Sequence, residues 1–96
     1  MANFSISIEL QDDTQIAYQK LCSIMSRHGF KHSVSDDDNI HYRLPRGEFT
    51  CSGYLCRQEL LDKVFNATLK ILPRPKVLVT EVAGRAWRGL EKIDLP

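Results

Sequence analysis

The residues best suited to chemistry in this chain are His41, Arg43 and Arg46. They share one short segment, I-H-Y-R-L-P-R-G-E-F-T-C-S, running from Ile40 to Ser52. An arginine can grip a phosphate through two parallel hydrogen bonds, and a histidine gains or loses its proton near neutral pH. Such groups could hold an RNA backbone while a 2′-hydroxyl attacks the adjacent phosphate. That reaction needs a base, an acid and stabilisation of the phosphorane charge. His41, Arg43 and Arg46 are therefore the candidate catalytic residues. Lys31 and His32 belong to the strand expected to pair with this segment, and Arg85 and Arg88 extend the basic track from the C-terminal tail. These are the candidate RNA-binding residues. The plainer reading of the same positions is a solvated hairpin with incidental charges.

Other groups carry less. Asp12 and Asp13 follow the first strand and could share Mg²⁺ with phosphate oxygens, but capping of the next helix explains them fully. Asp36, Asp37 and Asp38 read as hairpin-turn residues. Cys22, Cys51 and Cys56 have no ligand spacing, and His28, His32 and His41 have no Cys-x-x-Cys partner, so zinc is discarded and the thiols are read as structural. No metal or cofactor is expected. Trp87 is the sole tryptophan and is expected to anchor the C-terminal segment over the core, or else to stack on a base. Glu48 reads as a surface glutamate at a strand edge rather than as a general base.

The elements that must position these groups follow from periodicity. Phe4, Ile6, Ile8 and Leu10 alternate with Ser5, Ser7 and Glu9, which predicts a half-buried strand. A turn and helix N-cap at 11–14 then lead into a helix reaching about His28, with Ala17, Leu21, Ile24, Met25 and His28 on one stripe. Gly29 suits the left-handed position that ends it. A second strand covers 30–35, and the turn at 36–39 closes a hairpin with the segment from Ile40 to Ser52, read as one long bent strand. A second helix is predicted from about Arg57 to Leu72, where Pro73 and Pro75 stop it. The last strand, Val77 to Val82, precedes the tail of Arg85 to Leu90.

The order strand, helix, strand, strand, helix, strand predicts an α+β, ferredoxin-like domain over 1–96. It places two helices on one face of a four-stranded antiparallel sheet. Proteins of this plan that stack RNA bases do so on aromatics of the middle strands. Here the first strand offers Ser5, Ser7 and Glu9 instead. The short last strand also leaves an edge that could pair with a second copy, as a homodimer, or with another chain.

Bulk properties set the outer limits. Ninety-six residues make one domain, and 43% hydrophobic with 26% charged residues is ordinary globular composition. No apolar run approaches the roughly 18 residues of a membrane span, and no signal peptide opens the chain, so no membrane partner and a cytoplasmic location are expected. A formal charge of +1 neither supports nor excludes nucleic acid, and no DNA partner is expected.

Read as a whole, the chain resembles the GhoS-like family. The resemblance rests on Ile6-x-Ile8-Glu9-Leu10, Tyr18-x-x-Leu21 with Met25, and Gly29-Phe30. It continues through Tyr42-x-Leu44-Pro45 with Glu48-Phe49, then Val77-Leu78-Val79-Thr80-Glu81 with Trp87-x-Gly89-Leu90. It spans about residue 4 to residue 90. The resemblance implies a ferredoxin-like fold and the activity of a type V toxin–antitoxin antitoxin, a sequence-selective endoribonuclease that cuts the single-stranded messenger RNA of a toxin. It hands over no catalytic residue by itself. The competing expectation is a non-catalytic protein- or RNA-binding module of a mobile-element or defence system.

Overall fold

The computed structural model describes residues 1–11 and 14–94. Its elements are β1 (Ala2–Glu9), α1 (Gln15–Arg27), β2 (Ser33–Ser35), β3 (His41–Arg43), β4 (Glu48–Gly53), α2 (Arg57–Thr68), β5 (Lys76–Glu81) and β6 (Lys92–Ile93). The α+β class is as expected. The single four-stranded sheet is not: the strands form two three-stranded sheets, ordered β4-β1-β5 and β2-β3-β6.

The division occurs at Pro45–Gly47. Pro45 has no N–H to give a ladder, and the Glu48 N–H donates to the Pro45 carbonyl at 3.0 Å, closing a tight turn. Gly47 sits at φ +80°, the left-handed residue that such a turn needs. Its carbonyl accepts from Ile8 N–H at 2.8 Å, and a Cβ there would strike the Ile8 carbonyl oxygen. The segment read as one bent strand is therefore two strands in different sheets. Lys31 makes the remaining link, exchanging backbone bonds with Thr50 at 2.9 and 2.8 Å. The chain then turns so that only Ser33–Ser35 pair with β3.

The core lies on one face of β1. Phe4, Ile6 and Ile8 are buried together with Phe49 of β4, with Ala17, Leu21 and Met25 of α1, and with Leu60 and Val64 of α2. Both helices thus cover the same face, as predicted, because alternate residues of a strand point one way. Each fully buried large side chain contributes about 1.5–3 kcal/mol. The α1 cap is Thr14, whose side-chain oxygen accepts from Ala17 N–H at 3.2 Å, while the expected carboxylates Asp12 and Asp13 lie outside the described residues. Gly29 follows at φ +82°, as its position predicted. Helix α2 opens with a capping box between Cys56 and Glu59. It stops at Thr68 rather than Leu72. The N–H groups of Lys70 and Ile71 tighten to the i−3 carbonyls of Ala67 and Thr68, and Pro73 disfavours helical backbone at Leu72.

Candidate nucleic-acid interface

The site is built on the face of the first sheet that the helices leave uncovered. Register places Ser5 opposite Thr50 on one side and opposite Thr80 on the other, so these hydroxyls form a row across the sheet. Lys31 bridges Thr50 and so shares its face, at one end of the row. Arg85 reaches the row from the C-terminal segment. Its guanidinium donates to Ser5 Oγ at 3.0 and 3.2 Å and to the Phe4 carbonyl at 3.1 Å. Lys31 thus stands at one end of a line of hydroxyl groups and Arg85 at its middle.

Beside this row, sharing Thr50 with it, lies a cleft of ≈ 780 Å³. Asn3, Thr50 and Ser52 form its floor; Lys31, β2 and His41 form one wall; Arg85 and Trp87 form the other. Ser52 Oγ donates to Asn3 Oδ1 at 2.6 Å, and Thr50 Oγ1 donates to the Ser33 carbonyl at 2.9 Å, which fixes the floor. Trp87 packs on Tyr42 with ring centroids 5.6 Å apart, so the indole does tie the C-terminal segment down, onto the second sheet.

Asp36 and Asp37 line the cleft at the hairpin end. Asp36 is already engaged as a turn residue: Oδ1 accepts from Asp38 N–H at 3.0 Å and Ile40 N–H at 2.9 Å, and Oδ2 accepts from Tyr42 O–H at 3.4 Å. Asn39, at φ 61°, completes this turn. The hairpin reading of these acids holds.

The sequence-selected residues separate in space. His41, Lys31 and Arg85 come together as lining of the one cleft. Arg43 and Arg46 are not among its lining residues. Arg43 forms an exposed ion pair with Glu91 at 3.7 Å, and Arg46 lies over the Tyr18 ring at 4.5 Å with a bond to Gln15 Oε1 at 3.4 Å. His32 is absent from the cleft lining and engaged with the first sheet: Nδ1 lies 2.8 Å from the Glu48 carbonyl oxygen, which can only accept, and the ring packs 5.3 Å from that of Phe49. Arg88 is exposed just beyond Trp87. Glu48 accepts from Ser7 Oγ at 2.8 Å, consistent with a surface glutamate. Asn3, Thr50 and Ser52 were missed in the sequence because their common face depends on register.

The thiols suit structural roles. Burial pushes Cys22 up, and burial outweighs the nearby Lys63 charge in pushing Cys51 up, so neither is a ready thiolate. Among the described residues no group of three or more His, Cys, Asp or Glu side chains is placed to hold a metal ion. Among the described residues no helix is long and apolar enough to cross a membrane. No protein-family model matches this chain, and no curated protein matches it.

Proposed function

We propose that the chain binds single-stranded RNA in the cleft between the first sheet and the C-terminal segment, and cuts it there. The observation that carries this reading is the meeting of Lys31, Arg85, His41 and Trp87 around one hydroxyl-lined floor. Two cations suit phosphate oxygens, the indole suits an unstacked base, and short hydroxyl and amide groups suit ribose. The cleft is open, which suits a flexible strand better than a duplex. His41 accepts the 2′-hydroxyl proton, the oxygen attacks phosphorus, and the 5′-oxygen leaves and takes a proton from water. Lys31 and Arg85 stabilise the phosphorane charge. In this reading Arg43, Arg46 and Arg88 contact RNA only where it runs beyond the cleft.

The sequence resemblance to GhoS-like antitoxins supports the same reaction, with a toxin messenger RNA as substrate and a cytoplasmic setting. A ferredoxin-like ancestry is part of the proposal. Its support is the neighbour order β5, β1, β4 followed by the Lys31 bridge, which retains a four-strand order after the Gly47 turn has split the sheet.

The test is incubation of the protein with a pool of single-stranded RNA, with and without Mg²⁺, beside His41→Ala and Lys31→Ala. Discrete cuts in both conditions are expected for wild type. His41→Ala should bind but not cut, and Lys31→Ala should bind more weakly with a salt slope lower by roughly one. Equal cutting by all three proteins would remove the proposed site. Binding without cutting by wild type would leave a binding module and remove the catalytic part.

A further inference from the structure

We infer that the chain self-associates through the free edge of β5, joining two β4-β1-β5 sheets into one continuous antiparallel sheet across a two-fold axis. Strand β5 has β1 on one side and, among the described residues, no strand on the other. The Val82 N–H donates to the Asn3 carbonyl at 2.8 Å, which fixes the alternation of the ladder. Backbone groups of Lys76, Leu78 and Thr80 face β1, so those of Val77, Val79 and Glu81 face the open edge.

Exposed apolar side chains flank that edge on both faces. Leu78 shares the uncovered face with Ser7 and is 64% exposed. On the helix face, α2 packs over β5. Lys63 of α2 lies 5.6 Å from the Phe30 ring and acts on Cys51 of β4, which marks the flank turned toward β4. Phe65 and Leu69 are 37% and 45% exposed, and helical phase sets them on the side of α2 away from Lys63, the side that the β5 edge continues. One edge thus gathers an apolar side chain below and two above.

The occupant that fits is a second copy. When like faces of two sheets continue, opposed residues must have the same parity. The register centred on Leu78 sets Leu78 against itself at the axis and sets Val77 against Val79 as hydrogen-bonded pairs. It also brings Phe65 and Leu69 of both copies to the same side of the joint. The strand ends complement each other: Arg74 and Lys76 at the start of one β5 lie toward Glu81 at the end of the other. A parallel partner would set like charge against like. This inference stands independently of the RNA reading.

Sedimentation equilibrium from micromolar to millimolar concentration tests it. The wild-type mass should rise from 11.0 kDa toward twice that value. Leu78→Lys, which puts like charges at the axis, should remain monomeric with an unchanged circular dichroism spectrum and melting curve. In a Cys56→Ser background, Leu78→Cys should form a disulfide-linked dimer under mild oxidation, because facing Cα atoms at a non-hydrogen-bonded pair lie about 4.5 Å apart. Thr80→Cys should not. A wild-type mass fixed at 11.0 kDa, equal association of wild type and Leu78→Lys, or preferential cross-linking through Thr80→Cys would overturn the proposal.

Discussion

Replacing Gly47 with alanine should destabilise the fold more than the same change at Gly29, although both glycines have nearly the same φ, +80° and +82°. Left-handed backbone costs a residue bearing Cβ about 1–2 kcal/mol at either site. Reduced freedom of the unfolded chain returns roughly 0.4–1 kcal/mol in each case. At Gly29 nothing lies within 4 Å of the new methyl, so the balance ends there. At Gly47 the methyl meets the Ile8 carbonyl, and relieving that contact stretches the Ile8 N–H to Gly47 bond. Losing that bond adds about 0.5–1.5 kcal/mol, and displacement of the turn adds further strain. Gly47→Ala should therefore cost about 2–3 kcal/mol and Gly29→Ala about 1 kcal/mol, against a typical total of ~5–10 for a domain of this size. Urea unfolding followed by circular dichroism, with the m-value unchanged, measures both. Equal shifts in midpoint would refute the role assigned to the Gly47–Ile8 contact in breaking the strand.

Two further outcomes follow from the core and from α2. Leu21→Ala, at a fully buried position of α1, should cost about 2–5 kcal/mol by urea unfolding. Glu59 accepts hydrogen bonds from Cys56, which hold its carboxyl below the ordinary range. A depressed folded value gives stability that is present above the unfolded value, about 4.3, and is lost as pH falls through the folded one. Wild type should therefore exceed Glu59→Gln in urea midpoint at pH 7, with the gap closing in acid; a gap that persists at low pH would contradict this.

Much of the scaffold was legible because its signals are local. Alternation in Phe4 to Leu10 reports one buried face whichever strands lie beside it, and Ala17, Leu21 and Met25 recur at helical spacing for the same reason. Gly29 is read correctly since a helix end needs only its own backbone. The split at Gly47 was not legible as two sheets. Pro45 and Gly47 announce an interruption, but whether the chain resumes in the same sheet depends on the distant Ile8 backbone. Strand β6 holds only Lys92 and Ile93, too short for any period. The site divides along the same line. His41 stands out in the sequence by its chemistry, and the fold places it in the lining of the cleft. Arg43 and Arg46 seemed to join it by proximity in sequence, yet the turn at Pro45–Gly47 carries Arg46 to α1, and Arg43 pairs with Glu91. In the sequence Lys31 and Arg85 are peripheral basic groups. Their meeting across the Ser5–Thr50 row depends on strand register, which composition and spacing do not encode.

The central claim is that RNA occupies the cleft walled by Trp87, and this sole tryptophan is its own reporter. Titrating the protein with short single-stranded RNA while following indole fluorescence tests it directly. Saturable quenching that weakens with salt and with Lys31→Ala is expected, because base stacking and phosphate contact occur in the same cleft. Fluorescence unchanged by RNA, or quenching indifferent to both salt and Lys31→Ala, would contradict it.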